Sequence, residues 1–138
     1  MRSWDGFARS PAENDLFTYA RQGNVEGLRR IVSGATVNAR DERGHTPLII
    51  AAYNGFAEMA ELLLELGADP NLQNQAGDSA LMGAAFRGHL AIVLMLLRFG
   101  ANAELQNAKG LSALGIATLF GRTEVAYFLS TPPAARVA

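Results

Sequence analysis

The chain has 138 residues, 49% of them hydrophobic and 18% charged, a balance that excludes a disordered or fibrous protein and fits one globular domain or a short repeat array. A net charge of −1 is too even for a phosphate-neutralising surface, so nucleic acid is not expected as a partner. Cysteine is absent, which removes disulfides, thiolate metal sites and cysteine nucleophiles and fits a reducing, cytoplasmic setting.

Residues 1–13 read as an irregular N-terminal arm. It opens Met1-Arg2-Ser3-Trp4-Asp5-Gly6, with an acid where the apolar core of a secretory signal would begin. Trp4 and Phe7 are expected to fold over the first helix pair. No apolar run approaches the roughly 18 residues of a membrane helix, so no membrane association is expected. Of the twelve basic residues only Lys109 is Lys; the Arg bias points to a GC-rich, bacterial source.

The chain then repeats itself. Gly44, Gly77 and Gly110 recur every 33 residues, and so do Thr46, Ser79 and Ser112; Leu48, Leu81 and Leu114; Gly55, Gly88 and Gly121; and Leu63, Leu96 and Leu129. Four units follow: a polar capping unit at 14–40, full units at 41–73 and 74–106, a C-terminal capping unit at 107–131, and a tail at 132–138. In the first unit Leu16, Ala20, Gly23, Glu26 and Ile31 keep the pattern, and Asn14, Asp15, Thr18, Arg21, Gln22 and Arg29 supply the polar surface a cap needs. The second opens on the turn Arg43-Gly44-His45. Thr46 is placed as an N-cap and Pro47 as the first helical residue, and Asn54-Gly55 ends this short helix. A second helix is predicted from about Ala57 to Glu65, with Met59, Leu62 and Leu63 inward and Glu58, Glu61 and Glu65 outward. The third unit repeats this plan with Ser79, Leu81, Gly88, Ile92, Met95 and Leu96. The fourth does so with Ser112, Leu114, Gly121, Val125, Phe128 and Leu129, and Pro132-Pro133 ends it. Leu119, Phe120, Tyr127 and Phe128 make this last unit apolar for a cap.

The stretches Asp41-Glu42-Arg43-Gly44-His45-Thr46-Pro47-Leu48 and Glu61-Leu62-Leu63-Leu64-Glu65-Leu66-Gly67-Ala68-Asp69-Pro70-Asn71 resemble the two conserved blocks of the ankyrin repeat. The resemblance covers residues 14 to 131. It implies an all-α solenoid of stacked helix-turn-helix units joined by β-turn or hairpin loops. The family's usual His after Thr-Pro-Leu is replaced by Ile49, Met82 and Gly115, and its Pro is kept only at Pro47. The resemblance also implies that His89, in a frequent Gly-His pair, satisfies loop backbone groups, and that His45 is an exposed turn-tip residue.

Catalytic and cofactor chemistry is not expected. Neither histidine is placed beside a serine and a carboxylate, and no zinc-protease, Walker or dinucleotide motif occurs. Glu58, Glu61 and Glu65 fit one solvated helix face, and Asp69 and Asn71 have no calcium loop around them. The expected activity is binding of a protein partner in a concave groove lined by turn tips and first-helix ends. By repeat position these are Arg43, His45, Asp78 and Lys109 at the tips, and Tyr53, Asn54, Phe86, Arg87, Leu119 and Phe120 at the helix ends. Tyr53, Phe86 and Leu119 should form one ladder with rungs about 10 Å apart. The alternative is a self-associating structural protein that uses the apolar last unit as a weak homodimer face.

Overall fold

The computed structural model describes residues 11–131, without the side chains of 11–14. Residues 1–10 of the arm, with Trp4 and Phe7, the Asn14 side chain and the tail lie outside the described residues, whereas 11–13, expected in the irregular arm, open the first helix.

Eight helices follow in pairs, with no strand among the described residues: α1 (Pro11–Gln22) and α2 (Val25–Ile31), α3 (Pro47–Asn54) and α4 (Ala57–Glu65), α5 (Ala80–Arg87) and α6 (Leu90–Arg98), α7 (Ala113–Leu119) and α8 (Thr123–Ser130). The first helices pack as one row, α1 on α3, α3 on α5 and α5 on α7, and the second helices form a row behind them. The first helix of each of the last three pairs starts in the same way. Thr46, Ser79 and Ser112 are extended, and each Oγ accepts the backbone N–H three residues on, at 3.1, 3.3 and 3.2 Å. Thr46 and Ser79 are buried, so these bonds satisfy donors that water cannot reach.

No side-chain cap starts α4, α6 or α8. Their N-cap residues Phe56, His89 and Arg122 instead lie over the preceding pair. A Cβ built on Gly23 would stand 2.9 Å from the Phe56 ring, one on Gly55 2.8 Å from His89, and one on Gly88 3.2 Å from Arg122 Cδ. This corrects the expected role of His89. Its ring is a lid over Gly55, and its Nε2 is buried with no hydrogen-bond partner among the described residues. Phe56 fills the equivalent space with a plain ring, while Arg122 covers Gly88 and donates its Nε–H to Phe86 C=O at 2.7 Å.

The turns are stapled by a repeated side chain. Asp41 Oδ1 accepts from the N–H groups of Arg43 and His45 at 2.9 and 2.8 Å. Asn74 does the same for Ala76 and Asp78 at 3.0 and 2.9 Å, and Asn107 for Lys109 and Leu111 at 2.9 and 3.0 Å. Neighbouring turns are joined through the backbone, Gln75 N–H to Arg43 C=O at 2.9 Å and Ala108 N–H to Ala76 C=O at 3.0 Å.

One apolar core runs the length of the stack. Leu63 and Leu96 have no exposed surface, and Phe17 and Leu28 are equally buried in the first pair. In α4 the inward set is Met59, Ala60, Leu63 and Leu64, while Leu62 is only half-buried. Phe128 and Leu114 are also half-buried.

Candidate functional site

The turn tips and the C-terminal ends of α3, α5 and α7 enclose an open groove of about 640 Å³. Of the residues expected there, Arg43, His45, Tyr53, Asn54, Asp78, Phe86, Lys109, Leu119 and Phe120 all line it. Arg87 stands beside the lining, its guanidinium carbon 5.0 Å from the centre of the Tyr53 ring.

The ladder differs from the expected one. The Tyr53 and Phe86 rings are nearly parallel, 9° apart in plane, with centroids at 6.0 Å rather than the spacing of whole units. Side chains at equivalent positions lean along the stack and close that distance. The third rung is Phe120, packed edge-on to Phe86 at 4.7 Å. Leu119 stays 64% exposed. Both contacts obey one rule: the residue after each ladder position reaches back one pair, Arg87 over Tyr53 and Phe120 over Phe86. Such aromatic and cation–π contacts hold the wall in one conformation without hiding it. Tyr53 is 41% and Phe120 48% exposed.

At the tips His45 is half-buried rather than an exposed finger, because the Asn74 amide of the next turn lies 3.2 Å from its Nδ1. Asp78 occupies the equivalent place and accepts from the Asn107 amide at 3.0 Å. Asn54 turns its amide back on its own helix, donating to Ile50 C=O at 2.9 Å. Arg21 is tied to Asp41 at 3.2 Å. Arg43, Arg87 and Lys109 are exposed and have no ion pair among the described residues.

Sequence reasoning missed two parts of the site. Asp41, Asn74 and Asn107 recur at the same 33-residue interval as the glycines, and that interval could have found them. The wall also contains Ile50, Gly83 and Ile116, a further set of equivalent positions. Among the described residues no group of three or more His, Asp or Glu side chains gathers as a metal site would, and no helix is long and apolar enough to cross a membrane.

A family model for ankyrin repeats in three copies matches residues 16–103 and 66–137. The chain belongs to the ankyrin-repeat family. Repeats of this family generally mediate protein–protein interaction. The chain is 39% identical over 62 residues to ankyrin repeat domain-containing protein 49 of Drosophila melanogaster, a match that covers 44% of this chain and 29% of that protein. It is 45% identical over 47 residues to human protein phosphatase 1 regulatory subunit 27, covering 33% and 30%. It is 40% identical over 65 residues to a Bos taurus mitochondrial disaggregase, covering 45% and 10%. This ankyrin chain therefore spans less than a third of these relatives. All three are animal proteins, so the bacterial source read from the Arg bias draws no support from them.

Proposed function

We propose that this ankyrin-repeat chain is a non-catalytic module that holds a protein partner in its concave groove, acting in the cytoplasm as an adaptor, inhibitor or assembly factor. The observation that carries this reading is the aromatic wall of exposed Tyr53 and Phe120 with half-buried Phe86 between them, lying beside Arg43 and Lys109, which have no ion pair among the described residues. Aromatic and Arg side chains dominate binding energy at protein interfaces. The wall is already ordered by its own stacking, so little conformational entropy is lost when a partner arrives. Arg43, His45, Asp78 and Lys109 supply polar contacts at one rim; at the other, Asn54 and Arg87 are polar and Leu119 offers an exposed apolar side chain. A relative described as a phosphatase regulatory subunit agrees with a binding role. The experiment is affinity capture from the native host with the wild-type chain and with Tyr53→Ala/Arg87→Ala, read by mass spectrometry. A protein enriched by the first and lost by the second supports the groove; equal enrichment by both rejects it.

Self-association through the C-terminal unit is the second reading. It rests on the exposure of Tyr127 at 78% and on Gly110 and Gly121. A Cβ built on either would meet no other described residue within 4 Å, whereas one on Gly77 or Gly88 would meet the following pair. Size-exclusion chromatography with light scattering decides it: a dimer that Tyr127→Glu dissociates favours this reading, and a monomer at high concentration ends it.

A further inference from the structure

Gly83 sits inside α5, where its equivalents in α3 and α7 are Ile50 and Ile116. Glycine is the least favourable residue in a helix interior apart from proline, so a helical glycine asks for a reason. Its φ is not positive, so no backbone conformation requires it. Packing does not require it either: a Cβ there would meet nothing nearer than Tyr53 Cβ at 3.5 Å, an ordinary contact. The helical Gly27 differs, since a Cβ there would collide with the Tyr19 ring at 2.8 Å; Gly115 has room like Gly83, with Leu111 at 3.4 Å, but its unit places Ile116 at the groove-wall position that Gly83 occupies in α5. The missing side chain of Gly83 leaves a notch in the groove wall, between two isoleucines and one turn before Phe86.

The tips follow the same small-in-the-middle pattern. Arg43, Ala76 and Lys109 are equivalent, so two cations flank an alanine. The groove lining holds three cations, Arg21, Arg43 and Lys109, against one carboxylate, Asp78, in a chain whose net charge is −1. Arg21 is tied to Asp41, and one Asp78 oxygen to Asn107, which leaves Arg43 and Lys109 as the cations free to face a ligand. They are two units apart, about 20 Å at the usual helix spacing, and an extended chain covers that distance in about six residues.

We infer that the groove takes an extended acidic peptide segment of the partner, with a central apolar side chain in the notch at Gly83 and carboxylates about six residues apart on Arg43 and Lys109. This deepens the groove-binding reading and depends on it. The charge bias favours an acidic segment over a neutral one by steering and by pairing. Two free cations are too few to hold a nucleic-acid backbone at physiological salt.

The test is a display library of random peptides, about ten residues long, panned on the full 138-residue chain. The expected selection is one large apolar residue flanked by Asp or Glu. Synthetic peptides of that pattern should bind about tenfold more weakly to Gly83→Ile and to Arg43→Ala/Lys109→Ala, and more weakly still as salt rises. Gly83→Ala, which meets only ordinary contacts, should melt no lower than wild type and bind about threefold more weakly. It carries the test if Gly83→Ile fails to fold. Basic or uncharged selected peptides, or peptides indifferent to every Gly83 substitution, overturn the inference, and so does a library without binders. If such peptides still lose binding to Tyr53→Ala/Arg87→Ala, only the acidic-anchor inference fails and the groove reading stands. Indifference to that variant as well overturns both.

Discussion

Gly77 and Gly110 are equivalent turn residues, with φ at +82° and +77°, but only Gly77 is covered by the next turn. A Cβ on Gly77 would lie 2.8 Å from Ala108 N and 2.9 Å from Asn107 Cα, both backbone atoms that cannot step aside. The pair therefore separates strain from collision. Gly110→Ala should cost about 1–2 kcal/mol for the left-handed conformation alone. Gly77→Ala should cost that and a further ~1–3 kcal/mol for overpacking. Urea unfolding of both variants checks the difference, and equal losses would mean that the turns do not nest. His89 offers the opposite case, since its buried Nε2 makes no hydrogen bond where Phe56 fills the equivalent space with a plain ring. His89→Phe should raise stability by up to about 1 kcal/mol, read as a higher melting temperature, because an unsatisfied polar atom leaves the interior.

At the scale of the helix and the turn, each element is fixed by a local chemical device and then by packing. The N-cap bonds of Thr46, Ser79 and Ser112 and the left-handed ends at Gly55 and Gly88 set the helix limits. These signals are local, which is why Ala57 to Glu65 could be placed from sequence alone and is found with those limits. The interior face of α4 was less legible. Leu62, Leu63 and Leu64 are consecutive, and composition cannot say which of them faces outward; packing of α4 against α3 and its row neighbours α2 and α6 leaves Leu63 and Leu64 buried and Leu62 half-covered. Core and staple should respond differently to truncation. Leu96→Ala opens a cavity between helix pairs and should cost about 2–5 kcal/mol. Asn74→Ala leaves the N–H groups of Ala76 and Asp78 without their acceptor in half-open turns and should cost about 1–3 kcal/mol. Equilibrium denaturation of the two variants gives both numbers. Asn74→Asp, which keeps the acceptor and copies Asp41, should recover most of the second loss.

Over the whole molecule, repetition made the fold legible. A 33-residue interval dictates that equivalent residues stack, so helix order, core and groove follow from aligning the units. It also named the groove residues, because tips and helix ends recur at fixed offsets. What repetition could not give is how side chains of neighbouring units reach one another. Phe120 replaces Leu119 as the third rung, Arg87 covers Tyr53, and His45 is drawn to Asn74, all by side-chain lean along the stack. This bears on how the groove is tested. Phe86 is half-buried between Tyr53 and Phe120, so truncating it weakens the stack itself. Tyr53 and Arg87 are exposed and can be removed with less damage. The most direct measurement is therefore made on Tyr53→Ala/Arg87→Ala, comparing its unfolding free energy and its affinity for the captured partner with those of the wild type. Loss of one stacked and one cation–π contact should lower stability by about 1–2 kcal/mol, while affinity falls by about 2–4 kcal/mol. A variant that stays folded and keeps its partner at wild-type affinity would contradict the groove as the binding site.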